Sequence, residues 1–257
     1  MQVLPRTSPE RVACYYLDLQ PTTFDFATWL CLIKTLGYSR VAFKGDSFKK
    51  KVNYPDDRAL ARLENILKPL CEFVGVEVVE CESEPEIISH VFSAVVGLYK
   101  EFGWFWKYPY ERKHEHICVT IRNSWRNRYR NSRREEWDRF ISYLENRGER
   151  VVVLEDREND PIPIRERWDM NCCKMNFGVN NGPNVLCMLS DAPYMFFGYP
   201  GSFHDAILLL KYHNIPLGSQ LPWAKRNQRI VWKPDEFENL VKVYEMWNES
   251  QGAAAEA

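Results

Sequence analysis

Six arginines crowd into thirteen residues of this chain: Arg122, Arg126, Arg128, Arg130, Arg133 and Arg134. The run begins where the apolar stretch Val119-Thr120-Ile121 ends, and Asn123, Asn127, Asn131, Trp125 and Tyr129 are interleaved. An arginine fork binds phosphate oxygens in pairs and stays charged at any working pH. Such a loop at the carboxyl end of a strand suits a diphosphate. One alternative is a solvated charged loop, neutralised by Glu135, Glu136 and Asp138 just downstream. Another is single-stranded nucleic acid, since Arg with interleaved aromatics is also its footprint.

A second segment points to the same chemistry. Phe177 and Val179 end an apolar strand at the polar turn Asn180-Asn181-Gly182-Pro183. A helix is expected next, with Pro183 in its first turn and Val185, Leu186 and Leu189 on its apolar face. Asp191-Ala192-Pro193 would end it before the buried strand Tyr194–Phe197. A strand, a glycine turn and a helix aim backbone N–H groups and a helix dipole at an anion. The alternative is an ordinary loop without a ligand.

Acid–base candidates lie near the amino terminus. Asp25 sits in Pro21-Thr22-Thr23-Phe24-Asp25-Phe26, between the first strand and the first helix. It reads either as a general base at the top of a sheet or as an acid favoured by the helix dipole, with Thr22 or Thr23 as the cap. Asp18, at the end of the same strand, is the second candidate. His114 and His116 flank Glu115 without a third ligand in view, so a structural role is expected for them. His204 and Asp205 follow Gly201-Ser202, but no nucleophile elbow accompanies them. Dinucleotide and P-loop glycine patterns are absent.

The elements that must position these groups alternate strand and helix. In the first half, strands are expected at Val12–Leu17, Arg40–Lys44 and Val76–Glu80. Helices are expected at Ala27–Leu36, Asp57–Phe73 and Glu84–Lys100. The aromatic stretch Phe102–Tyr110 interrupts the rhythm. In the second half, Ile117–Ile121, Val151–Leu154, Tyr194–Phe197 and Arg229–Trp232 read as strands. Arg133–Asn146, Arg165–Lys174 and Asp235–Trp247 read as helices. This grammar predicts an α/β protein with two Rossmann-like parallel-sheet domains facing a cleft. The expected boundaries are 1–104, a linker 105–116, a second domain 117–250 and a disordered tail 251–257. One continuous doubly wound sheet is the competing architecture. Either way, ligands collect above the carboxyl ends of the strands.

Composition bounds the rest. At 257 residues and 45% apolar content the chain can fill two modest cores. Formal net charge is −1, so bulk charge argues for neither nucleic acid nor an anionic membrane. Cys14, Cys31, Cys71, Cys118 and Cys187 lie in apolar segments, and Cys172-Cys173 is vicinal. That pattern reads as reduced thiols in a cytoplasmic protein. The amino terminus has no apolar signal core, and no apolar run is long enough to span a bilayer.

Taken in order, the second half resembles the donor-binding domain of GT-B glycosyltransferases, with the flavour of the heptosyltransferase-like group. Val119-Thr120-Ile121-Arg122, the basic loop and Glu136-Trp137-Asp138-Arg139-Phe140 are similar to that domain's first strand, phosphate loop and helix. Gly148 through Asp156 is similar to its second strand. Asn180-Asn181-Gly182-Pro183 through Pro193 is similar to the Ser/Asp-x-Gly-Pro turn and helix that hold a sugar-nucleotide diphosphate. In the first half, Phe24-Asp25-Phe26 falls where such enzymes place a Gly-Asp pair. Phe24 replaces the Gly, Asn184-Val185-Leu186 replaces the His that often follows Gly-Pro, and arginines replace the phosphate-binding Lys, somewhat as in fucosyltransferases.

The resemblance implies a metal-independent, inverting glycosyltransferase of polysaccharide biosynthesis that needs no cofactor. Its donor would be a nucleotide-diphosphate sugar and its acceptor a glycan or glycoconjugate hydroxyl, with no nucleic-acid partner. Asp25, or Asp18, would be the base. Arg122, Arg126, Arg128, Asn180, Asn181, Gly182 and Pro183 would hold the diphosphate, and Asp156 the nucleotide. A non-catalytic nucleotide- or glycan-binding module and an Arg-loop nucleic-acid binder are the alternatives.

Overall fold

The computed structural model describes residues 11–20, 22–45, 56–80, 92–124, 128–156, 162–197, 216 and 218–255. Within it the chain is mixed α/β with two separate parallel sheets, of three and five strands. It divides into two compact units, Met1–Pro109 with Pro161–Arg167, and Tyr110–Asp160 with Trp168–Ala257.

The first unit carries β1 (Val12–Tyr16), β2 (Arg40–Lys44) and β3 (Glu77–Val78), all parallel, in that order. Helix α1 (Asp25–Thr35) follows β1 and is buried almost all round, from Phe26 to Ile33 and at Thr35. Such a helix needs cover on every face, and the aromatic stretch expected to be a linker supplies part of it. Tyr108 is buried and its hydroxyl donates to the Ala27 carbonyl at 2.8 Å. The Trp106 N–H donates to Thr35 Oγ1 at 2.8 Å. Phe105 and Tyr108 are therefore part of the first unit's core.

The single helix expected at Asp57–Phe73 is α2 (Asp56–Arg62), a π-helical turn (Leu63–Leu67) and α3 (Lys68–Phe73). Pro69 explains the break: it has no N–H for the carbonyl one turn back, and the ladder slips register just before it. Helix α4 spans Phe92–Phe102; its expected start at Glu84 lies outside the described residues.

The second unit carries β4 (Ile117–Arg122), β5 (Val151–Asp156), β6 (Met175–Val179), β7 (Tyr194–Phe197) and β8 (Gln228–Ile230), all parallel, in the order β5-β4-β6-β7-β8. Its helices are α5 (Arg134–Asn146), the part of α6 (Ile164–Asn171) from Trp168 on, α7 (Val185–Met188) and α8 (Phe237–Ala255). Gly148, at φ 82°, closes α5: it takes the left-handed conformation that a helix stop favours, and the Glu149 N–H returns to the Leu144 carbonyl at 3.0 Å. Helix α8 continues to Ala255, inside the stretch read as a tail.

Alternation along the strands sets the faces. Ile117, Val119 and Ile121 of β4, with Met175, Phe177 and Val179 of β6, pack under Trp137, Phe140 and Leu144 of α5 and Leu240, Tyr244 and Trp247 of α8. Residues between them, such as Thr120 and Gly178, face the other way. The sheet's outer edge at β8 is blunted by one side chain. Gln220 accepts from the Ile230 N–H at 2.6 Å and donates to the Ile230 carbonyl at 3.0 Å, standing in for a missing strand.

Among the described residues seven cysteines are free and buried, Cys172 and Cys173 included. No described helix is long and apolar enough to cross a membrane.

Candidate phosphate site at the second sheet

The first strand of the second unit, β4, has the second strand on one side and the third on the other. The winding order reverses between β4 and β6: the chain steps from β4 out to β5, then crosses back to β6 on the other side, all three strands staying parallel. In open α/β sheets a crevice forms at that reversal, outside the carboxyl ends, and ligands bind there. The residues at those two ends are Arg122 on β4 and Asn180-Asn181 just after β6.

Arg122 is buried although it ends its strand. Its loop is closed at the root, where the Arg122 N–H donates to Ser132 Oγ at 2.9 Å and the Ser132 N–H returns to the Arg122 carbonyl at 3.0 Å. Asn131 then fixes the guanidinium. Its Oδ1 accepts from Arg122 Nη1 at 2.7 Å and from the Ser124 N–H at 2.9 Å, while its Nδ2 donates to the Ser124 carbonyl at 2.8 Å. Arg130 reaches across to β6, where Nη2 donates to the Asn180 carbonyl at 3.2 Å. Two arginines thus flank the switch point, one from each side of the loop.

The other arginines separate by role. Arg133 pairs with Glu236 at 2.8 Å and lies 3.7 Å from Asp235; Arg134 pairs with Asp138 and Glu155, both at 2.9 Å. These two belong to the solvated, neutralised end of the run, and the carboxylates push the Arg134 pKa up from its ordinary value. Arg128 is exposed in a 3-10 turn, Arg128–Arg130. Arg126 lies outside the described residues.

The Asn-Asn-Gly-Pro turn works through side chains. Asn181 is 4% exposed, and its Oδ1 accepts from the Asn184 N–H at 3.0 Å. That bond fixes which end of the amide is oxygen. The buried Nδ2 is left with no hydrogen-bond partner among the described residues. A buried donor without an acceptor costs about 1–3 kcal/mol, and an anion at the crevice would satisfy it. Asn184 Nδ2 donates to the Val179 carbonyl at 3.0 Å and holds the turn against β6. Gly182 is exposed and Pro183 buried.

The helix expected after the turn is a correction. Helix α7 is four residues, Val185–Met188, too short for a useful dipole. Ser190 ends it: its Oγ donates to the Cys187 carbonyl and accepts from the Ala192 N–H, both at 3.0 Å, which competes with the helix ladder.

Gly178 makes the arrangement possible. A Cβ there would lie 2.8 Å from Asn184 Nδ2 and 3.1 Å from the Thr120 carbonyl oxygen. Gly178→Ala should therefore push Asn184 off the strand. It should destabilise the unit by about 1–3 kcal/mol, the usual cost of overpacking. Urea unfolding of the variant checks this; unchanged stability would reject this account of the glycine.

The remaining candidates are placed as follows. Asp156 ends β5 in register with Arg122, which puts its backbone at the same edge of the sheet. Asp25 belongs to the first unit, exposed as the first residue of α1. Thr23 Oγ1 donates to its carboxylate at 2.8 Å and neither Thr22 nor Thr23 serves as the helix N-cap, which is Phe24. Burial first, then the Asp25 charge, pushes the Tyr15 phenol well above its ordinary value. Asp18 is exposed and lies against Gly45. His114 and His116 stack at 5.1 Å and are committed to hydrogen bonds, His114 Nε2 with Asp169 and His116 Nε2 with the Met170 carbonyl, both at 2.9 Å. His204 and Asp205 lie outside the described residues.

Sequence reasoning left Asn131, Ser132, Asn184 and Gly178 out of the site. Their signal was there: polar residues bunched around a strand end, and a glycine inside a buried strand, which marks a close approach.

No family model matches the chain, and no curated protein matches it. Among solved structures it is similar to a bacterial iron-containing dodecameric glycosyltransferase, TibC, from enterotoxigenic E. coli H10407. The TM-score is 0.42 and the identity 9%, over 77% of this chain. The chain spans 61% of that protein's length. The likeness is coarse, one of α/β layering, and transfers no residue.

Proposed function

We propose that the second unit binds a nucleoside diphosphate at the β4/β6 switch point, and that the protein uses a nucleotide-diphosphate sugar as a glycosyl donor. One observation carries the binding: the buried Arg122, held by Asn131, ends its strand beside a turn whose buried Asn181 amide lacks an acceptor. Arg130 completes a cationic rim. Preorganised donors of this kind stabilise charge where it develops. The order of the strand, basic loop and Asn-Gly-Pro turn, similar to the GT-B donor domain, supports the sugar-transfer part.

In the reaction proposed, an acceptor hydroxyl oxygen attacks the anomeric carbon while the bond to the diphosphate breaks. The electron pair leaves with the diphosphate, whose growing charge Arg122, Arg130 and the Asn181 amide neutralise. The hydroxyl proton goes to a carboxylate base, and the resemblance of Phe24-Asp25-Phe26 to the family's Gly-Asp pair nominates Asp25 for that role.

Binding is tested first. Arg122→Ala or Arg130→Ala should weaken nucleoside-diphosphate binding by about 1.5–3 kcal/mol, the range for hydrogen bonds to charged groups. Arg122→Lys should restore only part, because the planar fork is lost. Isothermal titration with UDP, GDP and ADP reads this out, and equal affinity in both Ala variants would sink the proposal.

A further inference from the structure

A pocket lies two strand spacings away from the switch point, roughly 10 Å at ordinary strand spacing. It sits between β7–β8 and the carboxyl-terminal half of α8. Its floor is apolar: Met195, Ile230, Val243 and the buried Trp247, with Met246 at the rim, 59% exposed. Lys174 covers the Trp247 ring, its Nζ 5.4 Å from the ring centroid. The cavity volume is about 320 Å³, within the range of small-molecule sites.

Two arginines, Arg226 and Arg229, line the same pocket. Both are exposed, and neither side chain makes an ion pair or hydrogen bond among the described residues. That sets them apart from Arg133, Arg134, Arg139 and Arg147, each of which holds a carboxylate in this unit. The polar groups that could otherwise anchor a ligand are in use. The Gln220 amide caps the edge of β8, and Ser250 Oγ donates to the Trp247 carbonyl at 2.6 Å. An apolar floor with two unclaimed guanidinium groups selects for one chemistry, an apolar body with an anionic head. Exposed methionine suits such a site because its unbranched, polarisable chain adapts to the ligand.

We infer that this pocket binds a small amphiphilic anion, its tail on Met195, Val243, Met246 and Trp247 and its head between Arg226 and Arg229. The head is a carboxylate or a phosphate monoester. The site is separate from the nucleotide site and does not depend on it.

The test is calorimetric titration of the whole chain with octanoate and octyl phosphate below their micelle concentrations. Octylamine and octyl glucoside serve as cationic and neutral controls. Either anion should bind better than both controls, and which anion binds identifies the head. The Arg226→Ala/Arg229→Ala double variant should weaken anion binding roughly two- to thirtyfold, the scale of two solvent-exposed charge pairs. It should leave nucleoside-diphosphate affinity untouched. Met246→Glu, an exposed position, should also weaken the anions by placing a like charge at the rim. Binding of neither anion would overturn the inference. So would equal binding of the controls, or an anion affinity that ignores the double variant. Self-association of the free protein that Met246→Glu abolishes would assign the groove to a second copy, and would overturn it too.

Discussion

Asp235→Ala should lower the unfolding free energy by about 2–6 kcal/mol. The reason is local. Asp235 is buried, and its Oδ2 accepts from the indole N–H of the fully buried Trp137 at 2.7 Å and from the Arg133 N–H at 2.9 Å. Removing the carboxylate strands both donors, each at about 1–3 kcal/mol. The bond also ties two helix starts together. Asp235 holds Arg133, the N-cap of α5, while Glu136 on α5 accepts from the Phe237 N–H at the start of α8, at 2.8 Å. Asp235→Asn keeps one acceptor oxygen and should cost less than half as much. Because a domain's whole stability is about 5–15 kcal/mol, the Ala variant should show a much lower urea midpoint. A midpoint within error of the parent would mean that solvent replaces the carboxylate.

Where pattern and packing agree, the elements were legible. Arg40–Lys44 and Tyr194–Phe197 are short apolar runs between turn residues, and both form strands with those bounds. Two separate parallel sheets follow from the doubled rhythm. Val76–Glu80 did less well. Only Glu77–Val78 forms strand, with one further bond from the Val79 N–H to the Val41 carbonyl at 2.8 Å; among the described residues β3 has one neighbour, and both its residues are exposed. Pro69 and Ser190 show how one residue overrides a period. The first slips a ladder and the second stops a helix after one turn, and neither effect registers in an apolar count.

The placement of the candidate site's residues was half legible for a similar reason. A charge at the end of a buried strand marks a sheet's carboxyl edge, so Arg122 could be read from sequence. Its partners could not. Asn131 is nine residues away and Arg130 meets a turn fifty residues on, so both depend on which strands become neighbours. The arginine run also hid a division of labour. Arg130, Arg133 and Arg134 look alike in sequence, yet Arg133 and Arg134 spend their charge on Glu236 and Asp138 while Arg130 reaches the Asn180 carbonyl.

Asp25→Asn should cut sugar transfer by about 10²–10⁴-fold, the usual worth of a general base. Donor binding should survive, since Arg122, Arg130 and Asn181 all belong to the other unit. The competing role for Asp25 is support of the α1 start. Its carboxylate accepts from Thr23 and sits in the first turn, where an acid is favoured by about 0.3–1 kcal/mol. Asn keeps the hydrogen bond from Thr23 and loses only the charge. If support were the whole role, stability should fall by less than about 1 kcal/mol and turnover should hardly change. The two roles therefore separate by rate. The measurement is initial-rate transfer with whichever nucleotide sugar the binding screen selects, beside a melting curve for each variant. Asp18→Asn serves as the control, because Asp18 is exposed and packs on Gly45 at the end of the same strand. A normal rate in Asp25→Asn with a collapsed rate in Asp18→Asn would move the base to Asp18. Normal rates in both would remove the base from this end of the first sheet.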